Sequence, residues 1–337
     1  MENNAKTQHN ATQYTLLRIE RLTMLWWIFT TILVISFWHL LADPLDMMLT
    51  HLFIAICISS SWFLGSHLQN YLDHHCTPRL RRLRLDGIGT LIRVAAPLAM
   101  LALWYGETYS FCSLQPYKDH WFAAADQWLC GCQPSLLFSE ALKNGCLGLP
   151  EALFSEAFNM GYWSYFAMQL VIMLYYYFAH RDEMDRVATT ILAAFFIFYT
   201  IYFMLPVGGP QYYFAAIGIH NASSAIFPDM GNYLATHTDM LPAPGWSGGL
   251  FYNLVASAQD TGEFPTAAFP SSHVGCTVVF LSLALRRSQR LFLCLLPFAT
   301  LLICATVYIQ AHYLIDVIAG ALTGLLIYRL LKTRLLD

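Results

Sequence analysis

The distribution of apolar and polar residues divides the chain into long apolar segments joined by polar loops. A membrane-spanning helix needs about 20 mostly apolar residues, and about eight segments approach that length. The segment after Pro270 is short, and its helix must begin around that proline to cross a bilayer. The pattern therefore predicts an all-α, polytopic transmembrane helical bundle. The predicted spans are residues 24–42, 48–66, 87–105, 160–179, 187–207, 273–285, 291–310 and 314–331.

The composition supports a membrane protein and argues against one class of partner. Hydrophobic residues make up 57% of the chain and charged residues 12%, whereas soluble domains carry about 25% charged residues. No block rich in Lys and Arg is interleaved with aromatic residues, so nucleic acid is not expected as a partner. The expected surroundings are a membrane bilayer.

The positions of Lys and Arg predict the orientation of the chain. These residues collect on cytoplasmic loops, and residues 1–20 lack the apolar core of a cleaved signal peptide. With the N-terminus inside, nearly all Lys and Arg fall on inner loops, and Lys118 and Lys143 remain outside. We therefore expect both termini to lie in the cytoplasm.

This orientation places two long loops, 106–159 and 208–269, on the outer side. Connections of this length are uncommon unless they are functional or disordered, and the many aromatic residues favour a functional role. The predicted organisation is a cytoplasmic tail at 1–23, two accessory spans at 24–86, and a membrane core at 87–337 that carries both loops.

Several of the nine cysteines lie in the first outer loop, at Cys112, Cys130, Cys132 and Cys146. An even number on an oxidising face is compatible with disulfides, and free thiols remain an open alternative. Cys130 and Cys132 lack a histidine or a second cysteine pair at the spacing of a zinc site. No metal site is therefore predicted.

The first stretch that suggests chemistry is Pro270-Ser271-Ser272-His273. Proline is favoured at the start of a helix and serine as its N-cap, so the sixth span is expected to begin here. The N–H groups and the dipole at such a helix end bind phosphate. His273 in the first turn would then lie beside a bound phosphate.

The second stretch contains His312 and Asp316, which share one face of a helix because they are four residues apart. A carboxylate in that position can hold one ring nitrogen and leave the other aimed at a substrate. A single histidine in a membrane protein is more often an interfacial residue than a catalyst. The functional interpretation depends on His273, His312 and Asp316 converging on one membrane face, as the predicted orientation requires.

At these residues the chain resembles the type 2 phosphatidic acid phosphatase superfamily, which includes the vanadium haloperoxidases. Its second motif, Pro-Ser-x-His, matches residues 270–273, and its third motif ends in His-x-x-x-Asp, as at His312 and Asp316. The resemblance implies that the last six spans form the phosphatase-type core. It implies that His312 is the nucleophile, Asp316 its orienting residue and His273 the acid, without a metal or cofactor.

The chain departs from that superfamily in two motifs and in doing so resembles its inositol phosphorylceramide synthase branch. The first motif, a Lys followed by Arg-Pro, is absent, and Ala305-Thr306 stands where the third motif opens with Ser-Arg. Stretch 208–213 is similar to a Gly-Pro-x-Tyr-like element of this branch, although a turn with an aromatic belt is an alternative interpretation. The substrate-binding residues predicted from these motifs are Pro270, Ser271, Ser272, Gly209, Pro210, Gln211, Tyr212 and Tyr308.

The resemblance implies an enzyme that acts on a lipid-linked phosphate through a phosphohistidine at the outer membrane face. Transfer of a phospholipid headgroup is the favoured reaction, and hydrolysis of a lipid phosphate or polyprenyl diphosphate is the alternative. A non-enzymatic lipid carrier is the hypothesis from another class. Carriers usually have broken helices at mid-membrane, whereas the polar residues here cluster at the ends of the spans.

Overall fold

The computed structural model of the protein describes residues 15–262 and 264–336. In this part of the chain the secondary structure is helical, with an isolated bridge between Cys146 and Leu149 and no named strand. The predicted all-α class is thereby confirmed. Residues 1–14 of the predicted cytoplasmic tail lie outside the described residues.

The described residues form fifteen α-helices with short 3₁₀ turns between some of them. Both predicted outer loops contain helices, α6 and α7 in the first and α10 to α12 in the second. The helices are α1 Arg18–Ser36, α2 Pro44–His75, α3 Pro78–Arg82, α4 Ile88–Ala99, α5 Leu101–Cys112, α6 Asp119–Cys130, α7 Pro134–Leu142, α8 Glu151–Ala179, α9 Met184–Met204, α10 Pro210–Ile217, α11 Ile219–Ser223, α12 Leu250–Gly262, α13 Ser272–Arg287, α14 Gln289–Tyr308 and α15 Leu314–Leu331.

Among the described residues, 6 helical segments are long and apolar enough to cross a membrane, so the protein is an integral membrane protein. The other two predicted spans are also helices. Helix α8 is continuous, but polar and tyrosine residues interrupt its apolar sequence. Helix α13 has 16 residues, fewer than the roughly 20 that a span needs. The six segments are Arg18–Ser36, Pro44–His75, Leu85–Cys112, Arg181–Met204, Gln289–Tyr308 and Leu314–Leu336.

The chain forms two compact units, each continuous in space but not in sequence. The first comprises the described parts of 1–104, 173–193 and 331–337. Inside it, the Arg93 guanidinium donates to both carboxylate oxygens of Glu20 at 2.6 and 2.7 Å. A buried charge in a membrane protein needs such a partner, so we interpret the contact of Arg93 with Glu20 as a structural ion pair.

The second unit comprises 105–172 and 194–330, and α13 packs against α15 within it through glycines. A Cβ at Gly320 would collide with the backbone of Ser271, and one at Gly324 would collide with that of Gly275. Small residues permit this close approach of helix backbones. The two helix starts therefore lie side by side, and the Ser271 N–H donates to the Asp316 carbonyl at 3.0 Å.

Candidate active site

His312 lies in the turn between α14 and α15, and its side chain is only 4% exposed. Its Nδ1 is 2.8 Å from the carbonyl oxygen of Ala268. Because a carbonyl oxygen can only accept, Nδ1 carries the proton and Nε2 of the neutral ring keeps a free lone pair. The Ala268 carbonyl thus selects the tautomer that a nucleophilic Nε2 requires.

Asp316 does not hold the imidazole in the way its spacing predicted. Its Oδ2 is 3.9 Å from Nδ1 of His312, which is too long for a hydrogen bond. The same oxygen accepts from the Tyr313 N–H at 2.9 Å. Helix α15 begins at Leu314, after His312, so the carboxylate stabilises the turn that carries His312 and the ring itself is oriented by Ala268.

His273 lies in the first turn of α13 and faces His312. The two ring centroids are 5.8 Å apart, with an angle of 65° between the ring planes. Tyr162 stacks on the His273 ring at 4.7 Å between centroids, and Tyr165 contacts it at the same distance. The structure therefore brings the two predicted catalytic imidazoles together and fixes one of them between aromatic rings.

The start of α13 has the predicted N-cap, because the Ser271 hydroxyl accepts a hydrogen bond from the first turn. Several of its backbone donors are engaged inside the protein. The Ser271 N–H bonds to Asp316, and the Ser272 N–H donates to the Tyr202 hydroxyl at 3.0 Å. That hydroxyl donates in turn to the Pro270 carbonyl at 3.0 Å. Fewer N–H groups are thus open to a phosphate here than the sequence pattern predicted.

The two histidines line one cavity of about 20 Å³, which is the space of about one water molecule. Neutral polar and aromatic side chains surround it, and none of the described residues that line it is Lys, Arg, Asp or Glu. The lining residues are Tyr105, Tyr162, Gly208, Gln211, Phe264, Thr266, Ala267, Ala268, Ser272, His273, Ala311 and His312.

Three cations could offset the charge of a phosphate on the outer side: Lys118 and Lys143 of the first outer loop, and Arg93 of the third predicted span. The structure gives all three other surroundings. Arg93 pairs with Glu20 as described above. The Lys118 ammonium lies over the Trp121 ring, 5.1 Å from its centroid. Lys143 is exposed and lies 3.3 Å from the Glu140 carboxylate. None of them lines the cavity, so the described lining residues offer no Lys or Arg side chain to a bound phosphate.

Of the predicted substrate-binding residues, Gln211 and Ser272 line the cavity. Gly209 lies directly behind its wall. The residue has a φ of +102°, and a Cβ there would come within 2.7 Å of the Ala311 carbonyl oxygen, so glycine is required by both conformation and space. Its buried neighbours Pro210 and Tyr212 lie in the first turn of α10.

Tyr308 is placed away from the cavity, at the end of α14. It is 1% exposed and belongs to an apolar cluster with Leu142 and Val255, and its hydroxyl bonds to the Ser155 side chain. Its position is that of a packing residue with a satisfied hydroxyl. Its predicted contact with substrate remains a prediction.

Two buried carboxylates that support the site were not assigned a role by the motifs. Asp119 is 1% exposed and accepts from the N–H groups of Gly208 and Gly209 at 2.9 and 2.8 Å. Asp126 accepts from the N–H groups of Leu314 and Ile315 at 2.8 and 2.9 Å. Burial raises the pKa of Asp119, and the hydrogen bonds to its carboxylate offset part of that rise. The resulting pKa is about 6.

All nine cysteines lie in the described part of the chain and are free thiols. The Cys112 thiol is buried and donates to the Tyr202 carbonyl at 3.1 Å. Cys130 and Cys146 are exposed. The question of disulfides in the first outer loop is therefore answered in favour of free thiols.

The comparison with known protein families finds a match. The sequence profile described as the PAP2 superfamily matches residues 135–330, which include both histidines and Asp316 but not Asp119 or Asp126. No curated protein and no solved structure matches the chain.

Proposed function

This chain belongs to the PAP2 superfamily, and on that premise we propose that it transfers a phospholipid headgroup through a phosphohistidine at His312. Membership of the superfamily supports a lipid phosphatase-type function. The proposal of headgroup transfer through a phosphohistidine rests on one observation. The ring centroids of His273 and His312 are 5.8 Å apart, and both rings line a cavity whose described lining residues include no Lys, Arg, Asp or Glu. The reaction resembles that of an inositol phosphorylceramide synthase.

In the first step, Nε2 of His312 attacks the phosphorus of the donor lipid. A nitrogen–phosphorus bond forms, and the bond between phosphorus and the lipid alcohol breaks. His273 gives its proton to the departing oxygen, as a general acid does. The negative charge of the bound phosphate favours the imidazolium form of His273 beforehand.

In the second step, an acceptor alcohol attacks the phosphohistidine. His273 takes the proton of that alcohol, a new oxygen–phosphorus bond forms, and His312 leaves as the neutral imidazole with which the cycle began. If water takes the place of the alcohol, the same steps amount to hydrolysis. The difference between transferase and hydrolase therefore lies in which nucleophile occupies the cavity.

The uncharged lining favours a phosphodiester over a phosphomonoester. A monoester carries about 1.5 to 2 negative charges at neutral pH, and a diester carries one. Burying charge without a cation is costly, and the three candidate cations have other partners. A diester needs less compensation, which neutral donors such as the Gln211 amide can supply. A diester donor yields a transferred headgroup and a free lipid alcohol.

We expect the reaction to take place on the extracytoplasmic face, with both termini in the cytoplasm. The support is the Lys and Arg distribution together with the position of the site. His273 follows the start of α13 and His312 precedes the start of α15, and both lie in the unit that contains the long outer loops.

The reaction can be tested on detergent-purified protein with three labelled substrates: phosphatidic acid, a polyprenyl diphosphate, and phosphatidylinositol with ceramide. We expect headgroup transfer to ceramide and release of diacylglycerol without inorganic phosphate. If the only product is inorganic phosphate from phosphatidic acid or from the diphosphate, the enzyme is a hydrolase and the transferase proposal is wrong. Lipid movement between vesicles without product from any substrate would support the carrier.

The acid side of the pH profile is expected to report on His312. Burial lowers its pKa to about 4, against the hydrogen bond to Ala268, which raises it. Nε2 is nucleophilic only when the ring is neutral, so kcat/KM should fall as the pH drops through about 4 and not near 6.5. Asp119, with a pKa of about 6, should add a separate, partial decline between about pH 6 and 4. This decline should not exceed the ~10²-fold loss expected for Asp119→Asn, and that variant should lack it. A full loss near 6.5 in folded protein would contradict this assignment.

A further inference from the structure

Helix α6 directs two buried carboxylates toward the backbone around His312. Asp119 and Asp126 are seven residues apart, which on a helix places them on one face, two turns from each other. Phe122, between them, packs on Phe269 at 4.6 Å and on Tyr313 at 6.3 Å between ring centroids.

Asp119 joins two parts of the chain that flank the cavity. Its oxygens accept from Gly208, which lines the cavity, and from Gly209. One of the same oxygens accepts from the Tyr313 hydroxyl at 3.1 Å, and Tyr313 directly follows His312. The wall of the cavity and the turn of the nucleophile are therefore fixed to one carboxylate.

Asp126 holds the other side of the same turn. It accepts from two N–H groups, those of Leu314 and Ile315, which are unsatisfied at the start of any helix. A negative charge at this end also interacts favourably with the dipole of α15. The residues on the C-terminal side of His312 are thereby held by a carboxylate from a separate helix.

The apolar part of α6 reaches the group that orients the His312 ring. Phe122 and Ala123 form a buried cluster with Ala268, Val207 and Tyr313, among others. Ala268 supplies the carbonyl that bonds to Nδ1 of His312. One face of α6 therefore supports the cavity wall, the nucleophile's turn and the carbonyl that sets its tautomer.

We propose that helix α6 is a clamp that positions His312 for attack, with Asp119 and Asp126 as its two positioning residues. The catalytic half of this statement rests on the proposed function. The helix precedes residue 135, where the match to the PAP2 superfamily begins, so the clamp lies outside the matched segment. A displacement of about 1 Å at a reacting group can lower a rate by about 10²-fold.

The test compares Asp119→Asn and Asp126→Asn with a control of the same chemistry, Asp185→Asn. The Asp185 carboxylate accepts from the N–H groups of Arg18 and Ile19 at the start of α1, in the other compact unit. Amide hydrogen exchange is measured by mass spectrometry on the full chain in detergent. Values of kcat and KM are measured on the best substrate of the three-substrate assay.

For Asp119→Asn we expect exchange to accelerate at 207–209 and 313–315 together, about tenfold, because each lost hydrogen bond opens its segment. Asp126→Asn should accelerate exchange at 313–315. In both variants kcat should fall by about 10²-fold with KM changed less than threefold. Asp185→Asn should accelerate exchange only near the start of α1 and leave kcat within twofold.

Unchanged exchange at these segments in both variants would overturn the clamp. Faster exchange with wild-type kcat would also overturn it, because the contacts would then stabilise the fold without positioning the nucleophile. If the wild-type protein turns over none of the substrates, the proposed function fails by itself. The exchange measurement then decides separately whether α6 holds the turn of His312.

Discussion

Replacing His312 by alanine is expected to abolish turnover while the protein still folds and inserts. Loss of a nucleophile that forms the covalent intermediate lowers kcat by about 10⁴- to 10⁶-fold, since water in the vacated space lacks the oriented lone pair of Nε2. The measurement is product formation from the best substrate in the three-substrate assay, with size-exclusion behaviour in detergent as the test of folding.

The matched control for this variant is His237→Ala. His237 lies in the same compact unit, but it is exposed and its ring stacks on Tyr233 at 3.9 Å between centroids. This variant should retain wild-type turnover. Rapid quenching of the wild-type protein under alkaline conditions should trap a phosphorylated adduct on the peptide that contains His312. Turnover by the His312→Ala variant at more than a few per cent of the wild-type rate would rule out the phosphohistidine.

The features that the sequence predicted well are those encoded locally. Apolar runs of sufficient length identified the membrane helices, and the proline and serines at 270–272 placed the start of α13 within a residue or two. His273 and His312 could be placed together because each stands beside a helix start on the same side of the predicted membrane. Gly320 and Gly324 then bring α13 and α15 into contact, a packing role that the motif comparison did not assign.

The orienting group of His312 could not be predicted in the same way. The spacing of His312 and Asp316 indicated a carboxylate, but the bond to Nδ1 comes from a backbone carbonyl, 44 residues away in sequence. Every residue type has such a carbonyl, so Ala268 carries no signal of this role. Ala267 before it has a φ of +64°, a conformation that sequence patterns do not predict for alanine.

The roles of Asp119 and Asp126 could also not be predicted from the residues near them in the sequence. Asp119 contacts Gly208 and Tyr313, 89 and 194 residues away, and Asp126 contacts residues 188 and 189 positions away. Nothing in the spacing of their own neighbours indicates these partners. An aspartate at the start of a short helix, as Asp119 is, is ordinarily interpreted as a local cap, and only the tertiary packing shows a different role.

Replacing His273 by alanine is expected to separate proton donation from nucleophilic attack. General acid catalysis contributes about 10²- to 10⁴-fold, so turnover of a lipid with an alkyl leaving group should fall by that factor. An analogue in which p-nitrophenol replaces the leaving alcohol needs no proton, because the phenolate is a stable anion. The variant should cleave this analogue at a rate within about tenfold of the wild-type protein, as the lost acid contributes little there.

The ratio of the two rates distinguishes an acid from a residue that only shapes the cavity. The ring of His273 packs against Tyr162 and Tyr165, so its removal also leaves a space between aromatic side chains. That structural defect would affect both substrates equally, whereas loss of a proton donor affects only the alkyl ester. Equal losses on the two substrates would therefore exclude His273 as the acid. The His312→Ala variant, which lacks the nucleophile, should lose both reactions and serves as the reference for such an equal loss.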